Sequence, residues 1–94
     1  MSSDANMVIY ISSRNNYEML SGEVLKNVDL SGFPLINVDD GSSPEQQALG
    51  RKICEENNII FTENTGRGLH CAAATAIRIA KESFPSCKYV YWLT

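Results

Sequence analysis

The chain alternates between short, almost unbroken apolar runs and longer stretches in which apolar residues recur every three or four positions. The runs are Met7-Val8-Ile9-Tyr10-Ile11-Ser12, Leu35-Ile36-Asn37-Val38, Ile59-Ile60-Phe61-Thr62 and Lys88-Tyr89-Val90-Tyr91-Trp92-Leu93-Thr94. Runs this short, bounded by turn residues, read as strands of a parallel sheet covered on both faces. The periodic stretches fall between them and read as helices. A helix is predicted over about 16–27, where Tyr17, Leu20, Val24, Leu25 and Val28 make one apolar stripe and Gly22 weakens it slightly. Over 44–57, Leu49 and Ile53 lie four apart on the predicted buried face, with Ala48 and Cys54 beside them. Over 68–83, Leu69, Ala73, Ala76 and Ala80 share a line flanked by Ala72 and Ile79, and small residues there let a helix approach the sheet closely. Lys52, Glu55, Glu56 and the Arg78–Glu82 pair are expected on solvated faces. The order β-α-β-α-β-α-β predicts an α/β fold, a three-layer open parallel sheet with right-handed crossovers and helices on both faces.

Turn chemistry sharpens these boundaries. Gly32 and Pro34 punctuate the connector 29–34, Asn57-Asn58 ends the second helix, and Phe84-Pro85 breaks the third. Ser43 is suited to cap the second helix, Pro44 to its first turn, and Gln46 to complete a Ser-x-x-Gln capping box. The stretch Ile36–Gln46 therefore reads as buried strand, acidic pair (Asp39, Asp40), tight turn and helix start. Ligands of open α/β sheets bind where strands end and helices begin. Asp39 and Asp40 there either accept hydrogen bonds from a base or ribose, or simply cap the turn.

All three strand-to-helix loops are polar: Ser12-Ser13-Arg14-Asn15, Asp39-Asp40-Gly41-Ser42, and the loop holding Asn64, Gly66, Arg67 and Gly68. In a parallel sheet they converge on one edge. Carboxylates for a base or ribose, with cations and helix N-terminal N–H groups for phosphates, suit a nucleotide. The Gly66-Arg67-Gly68 loop is not a phosphate-binding Walker loop, having no Gly-Lys-Ser/Thr, and Cys71 stands where a dinucleotide fingerprint needs its third glycine. Read alone, it is a helix start with flexible glycines. His70 has no nucleophile paired with it and reads as a surface residue, and Ser12 and Ser13 have no triad partners. A receiver-like phosphoacceptor would need an acid pair after the first strand, which this loop lacks.

Composition narrows the field further. The 94 residues suffice for one small domain, and 44% hydrophobic content allows a packed core. A net charge of −3 and a pI near 5.0 argue against nucleic acid as partner. No apolar run approaches the ~18 residues of a membrane span. Residues 1–6 are small and polar, the pattern of a loose tail rather than a signal peptide. Cys54, Cys71 and Cys87 are odd in number, far apart and without zinc-site spacing, which fits a reducing cytoplasm. The last run is aromatic-rich with a free edge, which invites pairing with another chain and predicts a homodimer through strand 89–93.

Taken in order, Val8 to Asn15, Leu35 to Ser42, Asn64 to Gly68 and Lys88 to Thr94 resemble the amino-terminal half of GT-A glycosyltransferases of the inverting family 2 group. The resemblance covers residues 7–94, and its most specific part is the hydrophobic-Asp-Asp-Gly-Ser motif after the second strand. It implies strand order 3-2-1-4 and binding of a nucleotide-diphosphate sugar, with uridine diphosphate the expected carrier. Carried over by position, it implies nucleotide-binding roles for Ser12, Arg14, Asn15, Asp39 and Asp40, with Asp40 the partner of the base. Asn64, Gly66 and Arg67 follow from the third loop. Members of the family often carry an Ala-Arg-Asn run in the third helix; this chain has Ala72-Ala73-Ala74, leaving Arg67 as the available cation. The family's divalent metal, manganese or magnesium, is held by an Asp-x-Asp motif after the fourth strand, which the 94 residues do not contain. The resemblance therefore implies a nucleotide-sugar-binding half that does not catalyse transfer by itself. A rival of another class is a non-catalytic, doubly wound interaction domain that self-associates through its last strand.

Overall fold

The computed structural model describes residues 6–27 and 32–93. Four strands, β1 (Met7–Ser13), β2 (Leu35–Asp39), β3 (Ile60–Glu63) and β4 (Tyr89–Trp92), form one all-parallel sheet in the order β3-β2-β1-β4. The expected α/β architecture and the 3-2-1-4 strand order are thus present. β1 and β2 are central, which is why their sequences are apolar on both faces; every residue of β2 is buried. The direction of the crossovers reverses between β1 and β4, so the sheet has its switch point there.

One face packs Val8, Tyr10, Ile36 and Val38 against Ala72, Ala76, Ala80 and Phe84 of helix α4 (Gly68–Ser83) and the residue that ends it. The other packs Ile9, Ile11 and Leu35 against Tyr17, Leu20, Ile53 and Cys54. Here lie α1 (Tyr17–Met19), a π-helical turn (Leu20–Val24), α2 (Leu25–Asn27) and α3 (Pro44–Glu56). Burial pushes the Cys54 thiol up to about 11, so it is a neutral core residue. No helix among the described residues is long and apolar enough to cross a membrane.

Three details differ from the sequence reading. The helix predicted over 16–27 is interrupted by the π turn. Within this segment Ser21 Oγ donates to the Glu18 carbonyl (3.4 Å), and Gly22 adds no helix preference of its own. Tyr17 and Leu20 of the predicted stripe are buried; the side chain of Val24 and all of Val28 lie outside the described residues, as do residues 1–5 of the predicted tail and 29–31 of the connector. In α4 the buried line is Ala72, Thr75, Ala76 and Ala80, whereas Leu69 is 56% exposed, because the first turn stands beyond the sheet. In α3 the buried residues are Gly50, Ile53 and Cys54, with Leu49 half-buried and Ala48 exposed.

Gly50 explains that last shift. A Cβ at this position would lie 2.4–2.7 Å from ring carbons of Tyr17, which is fully buried. The missing side chain is the space the ring occupies. Gly50→Ala is therefore expected to destabilise the fold by about 1–3 kcal/mol through overpacking, despite alanine's better helix propensity. Gly22→Ala, where an added Cβ meets nothing within 4 Å, is expected to be neutral or slightly stabilising. Urea denaturation of the two variants side by side checks the contrast.

Candidate functional site

The carboxyl ends of β1, β2 and β3 carry three loops whose backbones continue the sheet's pairing. Asp40 N donates to the Ser13 carbonyl (2.9 Å) and Asn64 N to the Asp39 carbonyl (2.8 Å). Side chains then clasp the loops together. Asn15 is in the left-handed region (φ 52°), which asparagine tolerates. Its N–H donates to Ser42 Oγ (2.9 Å) and its Oδ1 accepts from Ser43 N (2.8 Å). Asp40 Oδ1 accepts from Asn64 Nδ2 (2.9 Å) and from Gly68 N (3.2 Å), placing a carboxylate on the N-terminus of α4. Asn64 Oδ1 also accepts from Gly66 N (3.3 Å) and Thr75 Oγ1 (3.4 Å).

Beneath the loops lies a buried polar chain. Ser13 Oγ donates to Asn37 Oδ1 (2.7 Å), Asn37 Nδ2 to Tyr17 Oη (2.9 Å), and Tyr17 Oη to Asp39 Oδ1 (2.7 Å). The other oxygen, Asp39 Oδ2, accepts from Ser42 N (3.1 Å) and Gln47 Nε2 (3.0 Å). Asp39 is only 1% exposed. Burial alone would raise its pKa, but hydrogen bonds from Ser42, Tyr17 and Gln47 outweigh that and hold the carboxyl below the usual range. Burial, together with donation to Asp39, drives the Tyr17 hydroxyl far above its ordinary value, so it stays a donor.

The helix start after β2 is capped by half of the expected box. Ser43 Oγ accepts from Gln46 N (3.3 Å). The Gln46 side chain, instead of returning to Ser43, accepts from Tyr17 N (3.1 Å) and donates to the Glu18 carboxylate (2.9 and 3.0 Å). Asn15 has already taken the Ser43 N–H, so the glutamine is free to join α1 to α3.

The predicted site residues thus separate into four groups. Asp39 and Asn64 have their side-chain polar atoms engaged within the protein, and Asn15 its N–H and Oδ1. Arg14, Asp40 and Arg67 line one cleft of about 160 Å³ with Gly41 and Gly68. Among the described residues, neither guanidinium has an ion-pair or hydrogen-bond partner, and Asp40 Oδ2 accepts no bond. Ser12 lies elsewhere, in a larger crevice of about 440 Å³ at the switch point, lined also by Ile11, Met19, Leu20, Trp92 and Leu93. Gly66 lines neither space; an added Cβ there would meet Cys71 Sγ at 2.6 Å, so it is a packing glycine.

Sequence reasoning missed Tyr17, Asn37, Ser42 and Gln47 as the residues that hold the acidic turn. Asn37, a polar residue inside an apolar strand, was the available signal. A divalent metal does not fit the donor set: Asp40 is the one carboxylate on the cleft, and no group of three or more His, Cys, Asp or Glu side chains comes together among the described residues. No family model, curated protein or solved structure matches the chain.

The Asp39 network gives the fold a pH dependence of defined sign. The folded-state pKa lies below that of an unfolded carboxyl, so the stabilisation is fully present above the unfolded value and is lost as pH falls through the folded one. Tyr17→Phe removes a donor to Asp39 and strands the Asn37 amide. It is expected to cost about 1–3 kcal/mol at neutral pH and to move the acid-unfolding midpoint upward. Denaturant titrations repeated across the acid range measure both, and an unshifted midpoint would remove Tyr17 from the control of Asp39.

Proposed function

We propose that this chain is the nucleotide-binding half of a nucleotide-sugar glycosyltransferase, and that it binds a uridine-diphosphate sugar without transferring the sugar by itself. The observation that carries the reading is the Arg14–Asp40–Arg67 cleft at the carboxyl ends of a parallel β3-β2-β1-β4 sheet. Two unpaired guanidiniums suit a diphosphate, which offers bidentate acceptor oxygens. Asp40 Oδ2 is the acceptor left for a base or ribose. The crevice beside Ser12 lies within the size range of small-molecule sites and is mainly apolar with a few polar groups, which suits the remainder of the donor. Asp39, buried and saturated, acts in this reading by holding the turn that presents Asp40. Asn15 and Asn64 act likewise, fixing the loops that carry Arg14 and Arg67. No step of transfer is assigned, because the cleft offers one carboxylate and no second acid or base beside it.

Titration of ¹⁵N-labelled protein with uridine diphosphate, with and without manganese, tests the reading. Amides of 12–15, 39–42 and 64–68 are expected to shift together, with little dependence on manganese. Arg14→Ala and Arg67→Ala should each weaken binding by roughly tenfold or more, the loss of one charge-assisted contact. Absence of shifts at millimolar nucleotide, or sugar transfer by the purified 94-residue chain, would overturn it.

A further inference from the structure

The two edges of the sheet are protected very differently. At the β3 edge, the Arg51 guanidinium lies 4.5 Å over the Phe61 ring and Glu63 is an exposed charge at the strand's end. Charged groups of this kind discourage pairing with another strand. The β4 edge has no such device: Tyr89-Val90-Tyr91-Trp92-Leu93 contains neither charge nor proline. Tyr89 is 66% exposed, Tyr91 56% and Trp92 41%.

The backbone of β4 shows which groups are open. Tyr89 N donates to the Asn6 carbonyl and Leu93 N to the Tyr10 carbonyl, so the odd-numbered residues face β1. By the two-residue period of a strand, the N–H and C=O of Val90 and Trp92 point away from the sheet. Val90 packs toward α4 and Leu93 toward the opposite core, so Tyr89 and Tyr91 share the face of Leu93.

We infer that this edge pairs with the same edge of a second copy of the chain, antiparallel, about a two-fold axis at Tyr91. That register makes Val90 and Trp92 of one chain exchange both backbone bonds with Trp92 and Val90 of the other. It sets Tyr91 against Tyr91 and Tyr89 against Leu93. Every apolar residue then meets an apolar residue, and no like charges oppose one another. A two-fold axis requires such self-complementarity, and this strand has it. The exposed aromatic surface is on the order of 300 Å² per copy, taking usual aromatic side-chain areas, well under the ~800 Å² per partner of a standard interface. The dimer is therefore weak and concentration-dependent.

Sedimentation equilibrium from about 10 µM to about 1 mM, a range that brackets weak association, tests the pairing. Trp92, the chain's sole tryptophan, gives a second readout. Expected are a mass rising from one chain to two and a blue shift of tryptophan emission over the same range. Tyr91→Lys should weaken association at least tenfold by opposing two ammonium groups. Trp92→Pro should do the same by deleting an outward N–H while sparing every bond to β1. Circular dichroism establishes that each variant is folded, and either folded variant suffices. A monomer throughout the range, association unaltered in both folded variants, or growth beyond a dimer would each overturn the inference. Trp92 also lines the crevice beside Ser12, so association is judged on mass, and nucleotide binding separately on the amide shifts of 12–15, 39–42 and 64–68 in the unsubstituted chain.

Discussion

A hydrogen bond between a buried phenol and a buried carboxylate, Tyr17 Oη to Asp39 Oδ1, is the contact on which the carboxyl edge of this sheet depends. An ionised carboxylate with 1% exposure persists only if its lone pairs are filled. Tyr17, Ser42 and Gln47 fill them, drawing on α1, the turn after β2 and the first turn of α3. The charge thereby ties three elements to the end of β2. Gly50 belongs to the same device, since only a residue without a Cβ leaves space on α3 for the ring that delivers the hydroxyl.

This arrangement divides labour within the adjacent acidic pair. Asp39 faces inward and is consumed by structure; Asp40 faces the loops, with one oxygen on Asn64 and the N-terminus of α4 and the other open. Of the two readings that the sequence left open, turn cap is what the bonds of Asp39 amount to, and ligand acceptor belongs to Asp40 under the proposed function. The division follows from strand geometry: successive side chains point to opposite sides, and the last residue of β2 still obeys that alternation.

Much of the fold was legible because β1 and β2 are sealed on both faces, which writes itself as Val8–Ile11 and Leu35–Val38. The convergence of the three loops followed from parallel topology alone. What was illegible depended on contacts distant in sequence or on degenerate patterns. Tyr17 counts as an apolar stripe residue until its hydroxyl is seen to reach Asp39, 22 positions away. The phase of α4 could not be set when alanine stands at 72, 73, 74, 76 and 80, since several faces then look equally buriable. A glycine at position 50 reads as a flaw in a helix until the ring beside it is known. The π turn at Leu20–Val24 is a change in backbone pairing, for which hydrophobic periodicity has no signal.

The clasps between the loops have a thermodynamic consequence. Asn15 is bonded to Ser42 and Ser43, and Asp40 to Asn64 and Gly68. The rim's backbone has therefore already lost its conformational freedom during folding, and the binding proposed above would have little left to order except the Arg14 and Arg67 side chains. Under the proposed function, a preformed rim of this modest volume would discriminate by fit, favouring a compact charged group such as a diphosphate.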